Sequence, residues 1–72
     1  MEFSIGEKVI LKLPLSYLKT ADHMPMLRPP DLVKSDEVGE IVGLRALGLV
    51  EVMFRRGTFL IPTDRLERHL SM

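Results

Sequence analysis

Leu49-Val50-Glu51-Val52-Met53-Phe54-Arg55-Arg56-Gly57-Thr58-Phe59-Leu60-Ile61-Pro62-Thr63-Asp64-Arg65-Leu66-Glu67 is the stretch of this 72-residue chain that decides the fold class. Val50, Val52 and Phe54 alternate with Glu51 and Met53, the period of two expected of a strand with one buried face. Arg55-Arg56-Gly57 reads as a tight hairpin, because Gly57 is free to take a positive φ. Thr58-Phe59-Leu60-Ile61 returns as a second strand, and Pro62, with no N–H for a ladder, stops it. The tail from Thr63 admits two readings. Thr63 could cap a helix with Leu66 and Leu70 on one face, or Leu66 and Leu70 could line one side of a short strand.

Upstream, Val38-Gly39-Glu40-Ile41-Val42-Gly43-Leu44 is rich in β-branched residues and holds two glycines, which predicts a bent strand. Arg45-Ala46-Leu47-Gly48 turns the chain into Leu49. Near the start, Glu7-Lys8-Val9-Ile10-Leu11-Lys12-Leu13 puts Val9, Leu11 and Leu13 on one face, with Pro14 as the stop. Residues 15–37 have no sustained period. Pro25, Pro29 and Pro30 hold Met24 and Arg28 out of helix by restricting the residue before each ring. Tyr17, Leu18, Met24, Met26 and Leu27 make the segment too apolar for a disordered linker, so it reads as an ordered excursion packed on the rest.

A strand, a long loop, three strands in meander, a short turn after Pro62 and a final strand is the element order of SH3-like barrels. The expectation is therefore an all-β, SH3-like five-stranded barrel over residues 1–72, with a long proline-rich first loop and a short 3₁₀ turn before the last strand. This context selects the strand reading of the tail. Val9, Leu11, Val50, Val52, Phe54 and Phe59 are expected in the core.

Composition narrows the function. A domain this small buries only ~60% of the surface its unfolded chain exposes. With no cysteine it has no disulfide frame, no thiolate chemistry and no cysteine-based zinc site. The acidic start Met1-Glu2-Phe3-Ser4-Ile5-Gly6-Glu7 is unlike a signal peptide, and no apolar run reaches the ~18 residues of a membrane helix. A cytoplasmic monomer without membrane insertion is expected. Ten basic residues balance ten acidic ones, with a pI near 6.7. Nucleic-acid binders usually carry a net basic footprint, and this chain also lacks Asn, Gln and Trp, common readers and stackers of bases. Sequence-specific nucleic-acid recognition is not expected.

Catalysis finds little to stand on. His23 and His69 are far apart and have no paired-ligand spacing, so a metal site is not expected. Ser16, Asp22 and His23 are the right residue types for a triad, but a triad is defined by geometry, and no nucleophile elbow or phosphate-cradling glycine loop is present. Neither an enzyme nor a cofactor is expected. Proline-helix recognition needs an aromatic-walled groove; the closing turn has Arg65 where SH3 domains usually carry Tyr, so that groove is not expected either.

A binding surface remains. Methionines adapt to a partner and prolines lower the entropy lost on docking, so Met24, Met26 and Leu27, with Arg28 held between Leu27 and Pro29, form a candidate partner-binding set. The same apolar residues could instead cover an open side of the barrel. Arg55 and Arg56 at a hairpin tip add two guanidiniums suited to carboxylates or phosphates.

Lys19-Thr20-Ala21-Asp22 followed by Met24-Pro25-Met26-Leu27-Arg28-Pro29-Pro30-Asp31 resembles the signature of the cyanobacterial SipA family. The resemblance extends from Phe3-Ser4-Ile5-Gly6-Glu7-Lys8-Val9 through Phe54-Arg55-Arg56-Gly57-Thr58-Phe59-Leu60 to Leu66-Glu67. It implies an SH3-like barrel and an adaptor that binds the sensor histidine kinase NblS at its ATP-binding region and stimulates autophosphorylation in light and nutrient stress. Lys19, within the remaining loop segment 18–32, belongs to the candidate partner-binding set. Plant relatives act in assembly of the chloroplast NADH dehydrogenase-like complex, which is the second expectation. The chain departs from the family at Leu47-Gly48-Leu49, where aromatics are common, and at Asp64-Arg65-Leu66, where Gln-Tyr-Leu is common. A third reading, an RNA- or ribosome-associated module, draws on the Gly6-Glu7-Lys8-Val9 opening.

Overall fold

The computed structural model describes residues 3–13, 15–34 and 36–69. They form seven strands: β1 (Lys8–Leu11), β2 (Leu18–Thr20), β3 (Leu27–Arg28), β4 (Val38–Leu44), β5 (Leu49–Phe54), β6 (Gly57–Pro62) and β7 (Leu66–Arg68). Two single-turn 3₁₀ segments, Pro30–Leu32 and Thr63–Arg65, precede β4 and β7. All strands join one antiparallel sheet in the order β3-β2-β6-β5-β4-β1-β7. The two end strands do not pair with each other, so the sheet is not closed.

The meander β4–β5–β6 follows the alternation read from the sequence. Val50, Val52 and Phe54 are buried with Phe59 and Ile61 from the neighbouring strand. Phe54 lies opposite Gly57, which leaves Arg55-Arg56 as the hairpin loop, and Gly57 takes φ 147°. The bend expected in β4 is a change of register between Ile41 and Gly43. Gly39, opposite Val9, is required by packing: a Cβ there would come within 2.7 Å of both Phe54 and Val52. The core is one cluster that also takes in Phe3, Val9, Leu11, Leu18, Val33, Ile41 and Leu66. Each fully buried side chain of this kind contributes about 1.5–3 kcal/mol, so even this thin core offsets much of the chain entropy.

Besides the open sheet that stands where a closed barrel was expected, the structure differs from the sequence expectation in two places. Seven strands stand where five were expected, because residues 15–37 contribute a hairpin of their own. Leu18 enters the core, and β2 pairs with β6, whose backbone would otherwise form an unpaired edge. Ala21 N–H continues that pairing by donating to the Thr58 carbonyl at 3.0 Å. The second difference is at Leu13, which is 47% exposed instead of sharing the face of Val9 and Leu11. β1 ends at Leu11, opposite Leu66, and Lys12 N–H then donates to the Arg65 carbonyl at 2.8 Å. Pro14, expected to stop β1, lies outside the described residues, as does Leu70. The tail is a 3₁₀ turn followed by a strand, as expected.

Candidate functional site

Thr20 sets the geometry of the candidate surface. It is buried, and its hydroxyl accepts a hydrogen bond from Met26 N–H at 2.8 Å while its own N–H donates to the Met26 carbonyl at 2.8 Å. This double link closes the 21–25 connection and brings β3 back beside β2. Met24, Met26 and Leu27 are therefore carried on an ordered hairpin, and all three are exposed, Met24 at 79% and Leu27 at 65%. They do not cover an open side of the core.

Strand alternation divides the expected residues between two faces. Lys19 lies opposite Leu27 on one side and opposite Leu60 on the other, so these three share the outer face of the sheet. Arg28 lies opposite the buried Leu18, on the face that turns inward, and the edge position of β3 leaves it exposed. There it lines a cleft of about 280 Å³ with Thr20, Asp22, Leu32, Arg56 and Phe59. The structure thus brings Arg28 and Arg56 together, which their separation in sequence did not announce. Arg55 lines a second recess with Asp31, Lys34, Asp36 and Glu37, and Arg56 borders both. Glu37 holds that end in place: its carboxylate accepts from Arg55 N–H at 2.8 Å and from Lys34 N–H at 3.3 Å.

Ion pairing separates the cations into two groups. Lys8 pairs with Glu40 and Arg68 with Glu7, each at 2.6 Å, Arg45 pairs with Glu51, and Arg65 lies 3.8 Å from Asp64. Among the described residues Lys12, Lys19, Arg28, Lys34, Arg55 and Arg56 make no ion pair. The three unpaired arginines lie on the hairpins read as the binding set, and of the three unpaired lysines only Lys19 does.

Sequence reasoning missed a second feature, a groove of about 390 Å³ between the chain entering β2 and the turn before β7. Leu15, Tyr17, Leu49, Leu60 and Pro62 supply its apolar lining, and Ser16, Lys19 and Arg65 its polar part. The chain has no aromatic-walled groove here, since Tyr17 is the single aromatic lining residue, but a groove is present. Its residues come from four separate stretches of sequence, and the exposed Tyr17 inside an apolar segment was the one local signal. Among the described residues no three His, Asp or Glu side chains are placed to hold a metal ion together. No helix among them is long and apolar enough to cross a membrane.

A family model described as Protein CHLORORESPIRATORY REDUCTION 42-like matches residues 5–66. The chain belongs to this CRR42-like family. The match runs from just before β1 to the first residue of β7, so it includes both hairpins and every lining residue of the groove. It sits with the plant relatives of the sequence resemblance and not with the SipA regulator specifically. Searches of curated proteins and of solved structures found no match.

Proposed function

We propose that the chain is a small non-enzymatic binding module that serves assembly of a photosynthetic NADH dehydrogenase-like complex. The observation that carries the binding role is the ordered β2–β3 hairpin, which exposes Met24, Met26 and Leu27, with the unpaired Lys19 opposite Leu27 and the unpaired Arg28 on the other face. Apolar side chains held at fixed positions in water, with a cation next to them, lose little entropy on docking. Membership of the CRR42-like family supplies the biological direction and favours assembly over regulation of a histidine kinase, for which no feature of the fold speaks. In this reading the module acts as a monomer in the cytoplasm, against the aqueous side of the complex. Strands β6-β5-β4-β1-β7 follow one another in the order of an SH3-like barrel, and β2–β3 is then a hairpin built from its long first loop.

The test is deletion of the gene in the organism of origin, with native-gel separation of its membranes. Loss of the assembled complex, and comigration of the tagged protein with complex subunits, is the expected result. Arg28→Ala weakens comigration and leaves the melting temperature nearly unchanged, because an exposed arginine contributes little to folding. An undiminished complex in the deletion strain overturns the assembly reading. Recovery of a sensor histidine kinase whose autophosphorylation the protein speeds would move it to the adaptor reading, and recovery of RNA with ribosomal proteins to the third.

A further inference from the structure

The floor of the groove is Leu60, on the outer face of the sheet, where strand register places it between Lys19 and Glu51. A leucine on a sheet's outer face ordinarily meets water, yet this one is 8% exposed. Leu15, Tyr17, Leu49 and Pro62 stand around it and exclude solvent. The volume of about 390 Å³ is more than one side chain fills and suits a short stretch of extended chain. Tyr17, 54% exposed, offers a ring face and a hydroxyl at the rim, a combination common at interfaces.

The charge of the lining then selects the occupant. Lys19 and Arg65 both line the groove and no carboxylate does, but Arg65 is engaged by Asp64 at 3.8 Å, which leaves Lys19 as the charge that selects. Glu51, which the register places beside the floor, is engaged by Arg45. Lys19 makes no ion pair among the described residues, and its neighbours across both strand pairings are the apolar Leu27 and Leu60. An ammonium at the edge of an apolar floor, without a counter-ion, attracts a carboxylate and repels a second cation. The Arg28–Arg56 cleft lacks this selectivity, because Asp22 lines it too.

We propose that the groove takes an extended segment of the partner protein in which an apolar side chain is flanked by Asp or Glu. The proposal rests on the binding-module reading above and names the chemistry of its partner. The apolar side chain sits over Leu60 against the Tyr17 ring, and the flanking carboxylate pairs with Lys19. A basic segment of equal hydrophobicity is rejected by the same ammonium.

The experiment is a titration of isotope-labelled protein with a short peptide alternating Glu and Leu, and with its Lys–Leu counterpart, followed by backbone amide shifts. Shifts centred on Ser16, Tyr17, Lys19, Leu49 and Leu60 are expected, with the acidic peptide binding about tenfold or more tightly than the basic one. Lys19→Glu should reverse the preference. Lys19→Met, which keeps an apolar stem, should abolish the preference while retaining the fold. Equal affinities, shifts centred on Arg28 or Arg55, or no shift up to about 1 mM peptide would overturn the proposal. Groove shifts that depend on protein concentration without peptide would overturn it in favour of a second copy as occupant. Failure of the peptide with comigration on native gels retained removes the groove chemistry alone. Peptide binding without comigration sustains the groove and removes the assembly reading.

Discussion

Leu47 is the residue whose backbone and side chain are least at ease. It takes φ 64° in the turn between β4 and β5, followed by Gly48 at 72°, and its side chain is 97% exposed. Leu49 N–H donates to the Ala46 carbonyl at 3.4 Å, which closes a turn with both central residues in the left-handed region. That turn matches the twist of the flanking strands and prefers Asn-Gly. A leucine in this region costs about 1–2 kcal/mol, a cost that Asn largely avoids. Leu47→Asn should therefore stabilise the protein by about 1 kcal/mol and raise Tm by about 4–8 °C. Thermal unfolding followed by circular dichroism checks it, and an unchanged or lowered Tm would show that the backbone strain is absent.

Among the elements, the β2–β3 hairpin depends most on a single side chain. Its two strands have three and two residues, too few to hold by ladder bonds alone. The Thr20 hydroxyl adds the bond to Met26 N–H. Thr20→Val keeps the branched shape and removes that acceptor, at a local cost of about 1 kcal/mol. Hydrogen exchange should then show the Met26 amide exchanging about five- to tenfold faster, with the amides of β5 and β6 unaffected. Uniform loss of protection across the sheet would mean that the hairpin unfolds only with the whole molecule. Since this hairpin carries Met24, Met26 and Leu27, Thr20→Val also asks whether partner binding needs the surface to be ordered.

For the molecule as a whole, the β1–β7 ladder that joins the early and late strands is reinforced by an electrostatic contact. The Glu7 carboxylate accepts from Ser4 N–H and from the Arg68 guanidinium, each at 2.6 Å, and Arg68 lies 4.7 Å from the centroid of the Phe3 ring. The Ser4 N–H first, and then the hydrogen bond from Arg68, hold the Glu7 carboxyl below the ordinary glutamate range. A carboxyl whose pKa is lower folded than unfolded adds stability above its unfolded pKa and loses it as pH falls through the folded value. The protein should thus lose this contribution on acidification through and below the ordinary glutamate range. Glu7→Gln, lacking the titration, should show a smaller fall in Tm there and a Tm below the unmodified protein near neutral pH. Parallel Tm-against-pH curves for the two proteins would remove Glu7 from the account.

The strands of the meander and the Arg55-Arg56 hairpin were determined by sequence alone. Each rests on a local cause: side chains alternate across a pleat, glycine tolerates positive φ, and proline cannot donate to a ladder. The apolar, proline-braced character of residues 24–28 was legible for a related reason, and the structure adds that Met24, Met26 and Leu27 are exposed. Tertiary structure alone decided that residues 18–20 and 27–28 join the sheet. Strands this short show almost no period, and the free edge of β6 is what recruits them. It alone decided the exposure of Leu13, because β1 ends where its partner β7 begins. The groove and the meeting of Arg28 with Arg56 belong to the same class. Their residues are distant in sequence, and a concave surface arises only when a curved sheet brings such residues side by side.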